Sequence, residues 1–224
     1  MEQTAISRYT FFLEQVLTPK RLQHSFGVMQ VMGELAKVYA LDPQKAIITG
    51  LLHDAAKDLP LAQQQQLIKE FGIKIEIPCE QDYVLYLHGP VSAYYVYKEL
   101  GITDKQILDA IRMHCYTGNG ENFNSVFTWC LRFSDILEPN RVFSDVRLFR
   151  EGKTRLNDAV YSGRLAEAAF LQTGWLLKMF EEKGFPIHPN LRYTHDDFSR
   201  QLNVDDAFLD NENYDNFITY PSPK

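Results

Sequence analysis

Residues 50–60 read GLLHDAAKDLP and place the adjacent pair His53 and Asp54 directly after an apolar run. Neighbouring side chains on a helix point about 100° apart, so these two can flank an ion that lies between them. A buried carboxylate without a partner is costly, whereas coordination of a metal offsets that cost. A single helical histidine is more often a hydrogen-bonded structural residue than a ligand. The pair therefore indicates a metal site only if further ligands accompany it.

Helical periodicity continues on both sides of this stretch. Apolar residues recur at three- and four-residue steps, and Thr-Pro, Asp-Pro and Thr-Asp pairs mark helix starts. The one strand signal is IKIEI at residues 73–77, which fits a loop equally well. Helices joined by short capped turns predict an all-α bundle. The predicted helices cover about residues 19–39, 43–54, 60–71, 82–100, 104–118, 124–137 and 164–183.

The composition is that of an ordinary globular protein, with 224 residues, 45% of them hydrophobic and 23% charged. A net charge of −6 gives no general attraction for nucleic acid or acidic membranes, so we expect neither as a partner. Three cysteines form no CxxC pair, and their odd number argues against a disulfide framework. Without a secretory signal or an apolar run near the ~20 residues that span a bilayer, we expect a cytoplasmic location.

The C-terminal end differs from the rest of the chain. We expect one main domain at residues 1–200 and an irregular acidic tail at residues 201–224. Residues 201–223 contain no Lys or Arg, while acidic residues accumulate there among asparagines. This composition predicts a mobile or loosely docked segment. The apolar residues that could anchor it are Phe208, Leu209, Phe217 and Ile218.

Further ligand-type residues lie on separate predicted helices. They are His24 in RLQHSFG, His88 in YLHGP, His114 in AIRMHCYTG and Asp135 in LRFSDILEPNR. Imidazole nitrogen and carboxylate oxygen are the usual ligands of catalytic divalent transition metals, and a helical bundle can bring them together in its core. Asp135 lies among apolar residues. We favour a metal as its partner over the alternative, a neighbouring arginine.

Basic residues close to these sites could supply the positive charge that a bound phosphate needs. Arg21 lies three residues before His24, on the same helical face. Lys57 lies three residues after Asp54, and Arg141 follows the last predicted ligand. Each of them alone is more commonly a solvated surface charge.

Other kinds of chemistry find little support in the sequence. Neither GxxxxGK[ST] nor GxGxxG occurs, so both phosphate-cradling loops are missing. Ser25 and Cys115 each adjoin a histidine, which is poor evidence for a nucleophile–base pair. His188 and His195 lie in predicted loops, and we expect both at the surface.

The ordered set of these motifs resembles the HD superfamily of phosphohydrolases. RLQHSFGV, GLLHDAAKDLP, HGP, AIRMHCYTG and SDILEPNR are similar to the YqeK-type symmetrical bis(5′-nucleosyl)-tetraphosphatases, over roughly residues 15–190. The resemblance implies an HD-domain helical bundle that hydrolyses diadenosine tetraphosphate to two ADP. It also implies iron, or another divalent transition metal such as Mn, Co or Zn, bound as one or two ions.

The resemblance also implies a role for each candidate residue. The implied metal ligands are His24, His53, Asp54 and Asp135. The implied catalytic residues are Lys57, His88 and His114, and the two histidines face the same cavity and contact substrate phosphate or a second metal. Cys115 stands where the family usually has a small hydroxyl residue, which leaves the geometry of that phosphate contact open. The implied substrate-binding residues are Arg21, His24, Lys57, His88, His114, Cys115, Asp135 and Arg141.

These residues support one mechanistic hypothesis and leave two alternatives. A bound metal would neutralise the attacked phosphate and lower the pKa of water from 15.7 towards about 7. Lys57, Arg141 and His114 would then stabilise the charged oxygens. One alternative is an HD phosphohydrolase for mononucleotides or another phosphoester, and the other is a nucleotide-sensing module without catalysis. The expected partner is a small nucleotide, and a homodimer is compatible with the sequence.

Overall fold

In the computed structural model, which describes residues 2–141 and 147–210, every regular element is helical. This confirms the predicted all-α class, and residues 73–77 form a loop. The chain divides into two compact units, at residues 1–143 and 144–224. The first unit contains α1 (Glu2–Val16), α2 (Pro19–Val38), α3 (Pro43–Leu52), α4 (Leu61–Glu70), α5 (Pro78–Asp82), α6 (Val84–Leu100), α7 (Lys105–Met113) and α8 (Val126–Leu137). The second contains α9 (Arg147–Tyr161), α10 (Leu165–Lys183), α11 (Pro189–Leu202) and a 3₁₀ turn (Asp206–Asp210).

All seven predicted helices are present, and side-chain caps fix several of their starts. Thr18 Oγ1 accepts from the backbone N–H of Arg21 at the start of α2. Asp42 caps α3 through a 2.9 Å bond from the N–H of Gln44, and Asp104 caps α7 in the same way. These caps satisfy N–H groups that have no partner within the helix, which is why the sequence marks them.

The predicted extents of α3 and α7 are wrong at their C-terminal ends. α3 ends at Leu52 and α7 at Met113, so His53 and His114 occupy the C-cap positions and not the helix interior. After α7, Tyr116 adopts a left-handed backbone with φ of 65°, which ends an α-helix. The ligand-type residues at these two places therefore lie in turns that follow the helices.

The sequence did not predict α1, α5, α9 and α11. The start of α11 shows one reason, because its N-cap residue is His188, whose Nδ1 accepts from the N–H of Asn190 at 3.1 Å. Histidine is not among the residues that usually signal a helix start. α5 has only five residues, which is too short for a periodic pattern.

Each unit has its own apolar core. In the first unit, Leu13, Leu51 and Ile111 are fully buried at the contact of α1, α3 and α7. In the second unit, Phe208 and Leu209, two of the possible anchors of the tail, are buried. The other two predicted anchors, Phe217 and Ile218, lie outside the described residues. Among the helices that the structure describes, none has both the length and the apolar character of a membrane span.

Candidate metal centre

All the predicted ligands of the first unit converge on one buried cluster. His24 comes from α2, His88 from α6 and Asp135 from α8, while the turns after α3 and α7 contribute the others. His24 Nε2 lies 3.0 Å from Asp135 Oδ1, and His88 Nε2 lies 3.0 Å from His114 Nε2. The four histidine rings form a continuous series in which neighbouring ring centroids are 4.9–5.3 Å apart.

Asp54 lies in the middle of this cluster, and its two carboxylate oxygens face different histidine pairs. Oδ2 lies 3.7 Å from His24 Nε2 and 3.6 Å from His53 Nε2. Oδ1 lies 3.1 Å from His88 Nε2 and 3.7 Å from His114 Nε2. Two groups that share no residue could therefore each hold an ion, with Asp54 between them. They are His24, His53 and Asp135, and His88, His114 and Cys115.

The outer ring nitrogens show which tautomer each histidine adopts. His53 Nδ1 lies 2.9 Å from the carbonyl oxygen of Gly50, and His114 Nδ1 lies 2.7 Å from that of Ile111. His88 Nδ1 donates to the carbonyl of Val84 at 2.8 Å. A carbonyl can only accept, so Nδ1 carries a proton in each of these three rings, and Nε2 is the ring nitrogen that faces the cluster. Metal-ligating histidines usually have this arrangement.

Two of the inner nitrogens have no hydrogen-bond partner. The Nε2 atoms of His24 and His53 are buried and make no hydrogen bond to any described residue. His24 Nε2 lies close to Asp135, but the direction is not that of a hydrogen bond. Buried polar atoms without a partner are rare in folded proteins and call for an explanation. A metal ion between these nitrogens and the carboxylates fits the donors present.

Two glycines allow the helices to approach closely enough to form the cluster. A Cβ atom at Gly50 would lie 2.8 Å from Met29 Cα, and one at Gly89 would lie 2.8 Å from the carbonyl oxygen of Arg112. Gly50 lies just before His53, and Gly89 directly follows His88. The close crossings of α2 with α3 and of α6 with α7 therefore hold the histidines of each pair together.

The predicted basic residues lie at the edge of the cluster. Arg21 Nη1 contacts Asp54 Oδ2 at 2.9 Å, and Arg141 contacts Asp135. Asp135 therefore contacts both a neighbouring arginine, which was the alternative partner, and the cluster histidine His24. The two arginine side chains are 29% and 33% exposed, so both also reach solvent. Lys57 Nζ lies 3.1 Å from His88 Nε2.

The charges in the cluster suit metal binding. Burial alone would raise the pKa of Asp54 and Asp135, but the positive groups around them outweigh it and hold both pKa values well below the usual range. Burial lowers the pKa of His53 and of His88. Ionised carboxylates and neutral imidazoles are the forms that coordinate metals.

The other two cluster histidines differ in the direction of their pKa shifts. Burial alone would lower the pKa of His24 and of His114, but the nearby acidic groups outweigh it, so that the pKa of His24 is raised and that of His114 is raised to about 9. A metal at these two rings would therefore displace a proton.

Two residues that support the cluster were missed in the sequence. Glu138, which we interpreted only as part of the helix stop, is buried and accepts from His24 Nδ1 at 3.0 Å. Asp58 accepts from both the backbone N–H and the hydroxyl of Thr18, at 2.8 and 2.7 Å, and so ties the start of α2 to the turn after α3. A signal was available for Glu138, because it lies three residues, almost one helical turn, after Asp135.

Comparison with known proteins identifies a consistent set of relatives. The profile of the HD domain family matches residues 21–159. The chain is 36% identical over 184 residues to a Halalkalibacterium halodurans protein named symmetrical bis(5′-nucleosyl)-tetraphosphatase, which covers 80% of this chain and 89% of the relative. A Bacillus subtilis protein of the same name is 32% identical over 184 residues, covering 82% and 91%.

One solved structure is similar to this chain over most of its length. It is a predicted HD superfamily hydrolase from Clostridium acetobutylicum, described as involved in NAD metabolism. The TM-score is 0.77 at 28% identity, and the match covers 88% of this chain and 97% of the other.

Proposed function

This chain belongs to the HD-domain family of metal-dependent phosphohydrolases, and we propose that it hydrolyses diadenosine tetraphosphate to two ADP. Two relatives that match most of this chain carry the name symmetrical bis(5′-nucleosyl)-tetraphosphatase, which supports the proposal. The observation that carries this proposal is the convergence of four histidines and two carboxylates in one buried cluster. Cations at the edge of that cluster suit a polyphosphate, because several negative charges must be neutralised before an anionic nucleophile can approach.

In this proposal, His24, His53, Asp54 and Asp135 hold a divalent metal. The buried Nε2 atoms of the two histidines support this assignment, since they have no hydrogen-bond partner among the described residues. Iron is the metal that the family resemblance implies, and His and carboxylate donors suit Mn, Co and Zn as well. A metal bound there would supply Lewis acidity, which neutralises phosphate charge and makes water more acidic.

The remaining residues would bind and orient the polyphosphate. Lys57 lies beside His88 and His114 at the opposite end of the cluster, where its ammonium group could neutralise charge on the phosphates nearest the bond that breaks. The two histidines could contact the same phosphates or hold a second metal. Arg21 and Arg141 are partly exposed and could bind the outer phosphates bidentately. Glu138 would keep His24 oriented. Attack of water on a phosphorus atom beside the central bridging oxygen would form one P–O bond and break the bridging P–O bond, and the products are two ADP.

Product identification tests the proposal and separates it from both alternatives. The metal-loaded protein should release only ADP from diadenosine tetraphosphate. Release of ATP and AMP would contradict symmetrical cleavage. Faster hydrolysis of mononucleotides or simple phosphoesters would favour the first alternative. Binding without phosphate release, with each of Fe²⁺, Mn²⁺, Co²⁺ and Zn²⁺, would favour the nucleotide-sensing module.

Three expectations from the sequence remain proposals of a more general kind. They are a main domain at residues 1–200 with a separate tail, a homodimer and a cytoplasmic location. The HD domain profile matches residues 21–159, which lie within the proposed main domain.

A further inference from the structure

The end of the cluster at His88 and His114 contains a sulfur atom as well. Cys115 Sγ lies 3.1 Å from His88 Nε2, and the thiol is buried. His88 Nε2 in turn lies 3.0 Å from His114 Nε2 and 3.1 Å from Asp54 Oδ1. A sulfur, a nitrogen and an oxygen atom thus lie within 3.1 Å of His88 Nε2, and His88, His114 and Cys115 form a group whose ligand atoms are close enough to hold one ion.

The family resemblance implies a second metal position at His88 and His114. We propose that Cys115 is a further ligand there, and that with the two histidines and Asp54 Oδ1 it makes this second metal centre prefer thiophilic divalent ions such as Zn²⁺ and Co²⁺. A thiolate is a soft ligand, and it shifts selectivity away from ions that prefer oxygen, such as Mg²⁺ and Mn²⁺. The first group of His24, His53 and Asp135 has only nitrogen and oxygen donors. The two ends of the cluster should therefore differ in metal preference.

The separations between these atoms are close to those that a tetrahedral site requires. With metal–nitrogen bonds of about 2.0–2.1 Å and a metal–sulfur bond of about 2.3 Å, the ligand atoms of a zinc site lie roughly 3.3–3.6 Å apart. The separations from His88 Nε2 are 3.0–3.1 Å and that between His114 Nε2 and Asp54 Oδ1 is 3.7 Å, so these four distances lie within a few tenths of an ångström of that range. His88 and His114 already donate their Nδ1–H groups to backbone carbonyls, which leaves Nε2 as the ligand atom.

The ammonium group of Lys57 lies close to this position and would have to move when an ion binds there. Lys57 Nζ lies 3.1 Å from His88 Nε2, where it provides a cation beside Asp54. Because the lysine is partly exposed and its side chain is long, it can turn to a phosphate when an ion takes over this charge. The second centre depends on the proposed function in one respect, because it shares Asp54 with the proposed first metal site. It can be tested by metal binding alone, without a hydrolysis assay.

The other two cysteines provide matched controls. Cys130 is buried in α8, and burial raises the pKa of its thiol to about 12, so it should remain an unreactive thiol. Cys79 lies in α5 and is only partly buried. Neither belongs to a group of described residues that could hold a metal. A spectroscopic signal of metal–sulfur bonding should therefore depend on Cys115 alone.

Titration of the chelator-treated full chain with Co²⁺ tests the proposal directly. We expect a sulfur-to-cobalt charge-transfer band in the near ultraviolet, which Cys115→Ser abolishes and Cys79→Ser retains. Zn²⁺ bound to the second centre should also protect Cys115 from alkylation. In Cys115→Ser, the second equivalent of Zn²⁺ should bind at least about tenfold more weakly, while the first equivalent binds as in the unchanged protein.

Absence of the band at full Co²⁺ occupancy would overturn the proposal, as would a band that persists in Cys115→Ser. Either result leaves the proposed function intact if diadenosine tetraphosphate is still cleaved to ADP. Conversely, a cysteine-dependent band in a protein that does not hydrolyse diadenosine tetraphosphate would support the second centre and contradict the proposed function. Circular dichroism of Cys115→Ser, expected to match the unchanged helical spectrum, excludes misfolding as the cause of a lost band.

Discussion

The two units of this protein both contain buried histidines, but the histidines differ in what their ring nitrogens contact. In the second unit, His195 Nδ1 lies 3.0 Å from Thr173 Oγ1 and its Nε2 lies 2.9 Å from Asp206 Oδ1. Its ring also stacks on Phe170, with centroids 4.7 Å apart. In the first unit, by contrast, the outer nitrogen of each cluster histidine is satisfied and the inner nitrogen faces other ligands.

This difference separates a structural histidine from a candidate ligand. Both kinds are buried, so burial does not distinguish them. The expectation that His188 and His195 lie at the surface is wrong, since His188 caps α11 and His195 packs in the core of its unit. What marks the cluster is convergence, because several inner nitrogens and carboxylates lie close together and the Nε2 atoms of His24 and His53 make no hydrogen bond to any described residue.

The largest effect should follow substitution of the residue that both ends of the cluster share. Asp54→Asn keeps the shape of the side chain but removes its charge, and we expect hydrolysis of diadenosine tetraphosphate to fall by about 10³-fold or more, as several kcal/mol of charge stabilisation is lost. The matched control is Asp206→Asn beside His195, which should retain hydrolysis. Equal losses in the two variants would remove the distinction between the units.

The next largest effect concerns Glu138, which orients His24 without touching the metal position. Glu138→Ala should weaken binding of the first metal by about 10–100-fold, because the imidazole loses its orienting partner. Glu138→Gln, which can still accept from Nδ1, should lie between that variant and the unchanged protein. Metal titration measures the affinity, and hydrolysis at saturating metal should recover most of its rate. If saturating metal did not restore hydrolysis, Glu138 would have a role other than orienting His24.

Gly89→Ala should have a smaller effect on the site and a clear one on stability. The added methyl group would lie 2.8 Å from the carbonyl oxygen of Arg112 and force α6 away from α7, at a cost of about 1–3 kcal/mol in unfolding free energy. Gly33→Ala in α2 is the control, since its nearest side-chain atom lies 3.4 Å away. That change should be neutral or stabilise by up to about 1 kcal/mol. Denaturant unfolding measures the unfolding free energy of both variants. Equal values for Gly89→Ala and Gly33→Ala would argue against a close crossing of α6 and α7.

The smallest effect on the site should come from His195→Ala, although the protein itself becomes less stable. The variant loses the contacts to Thr173, Asp206 and Phe170, and we expect a decrease of about 1–3 kcal/mol in unfolding free energy. Hydrolysis per folded molecule should not change. A selective loss of activity at unchanged stability would show that the second unit takes part in the chemistry.

Much of this architecture could be predicted from local signals. Asp42 and Asp104 cap helices in the way that short polar side chains before an apolar period predict. The approach of His53 to His24 could not be derived from periodicity, because it depends on the close passage of Gly50 over Met29. The sequence also does not show that α3 and α7 stop just before their histidines, since an apolar pattern extends through both ends.

Convergence of the candidate ligands was inferred from residue type and family resemblance, and the structure brings them together. The arrangement of Asp54, with one oxygen facing each histidine pair, is a three-dimensional property that spacing does not reveal. The contacts of Glu138 and Asp58 are of the same kind, because their partners His24 and Thr18 are 114 and 40 residues away in the chain. For Glu138 the spacing from Asp135 places it near the cluster but does not identify His24 as its partner.

Metal content tests the contrast between the two kinds of histidine most directly. Elemental analysis after reconstitution with a divalent metal should find at least one tightly bound equivalent in the unchanged protein and the same amount in His195→Ala. His53→Ala should lose metal from the first group, because one of its buried inner nitrogens is gone. A folded His53→Ala with full metal content would contradict the assignment of the cluster as a metal centre.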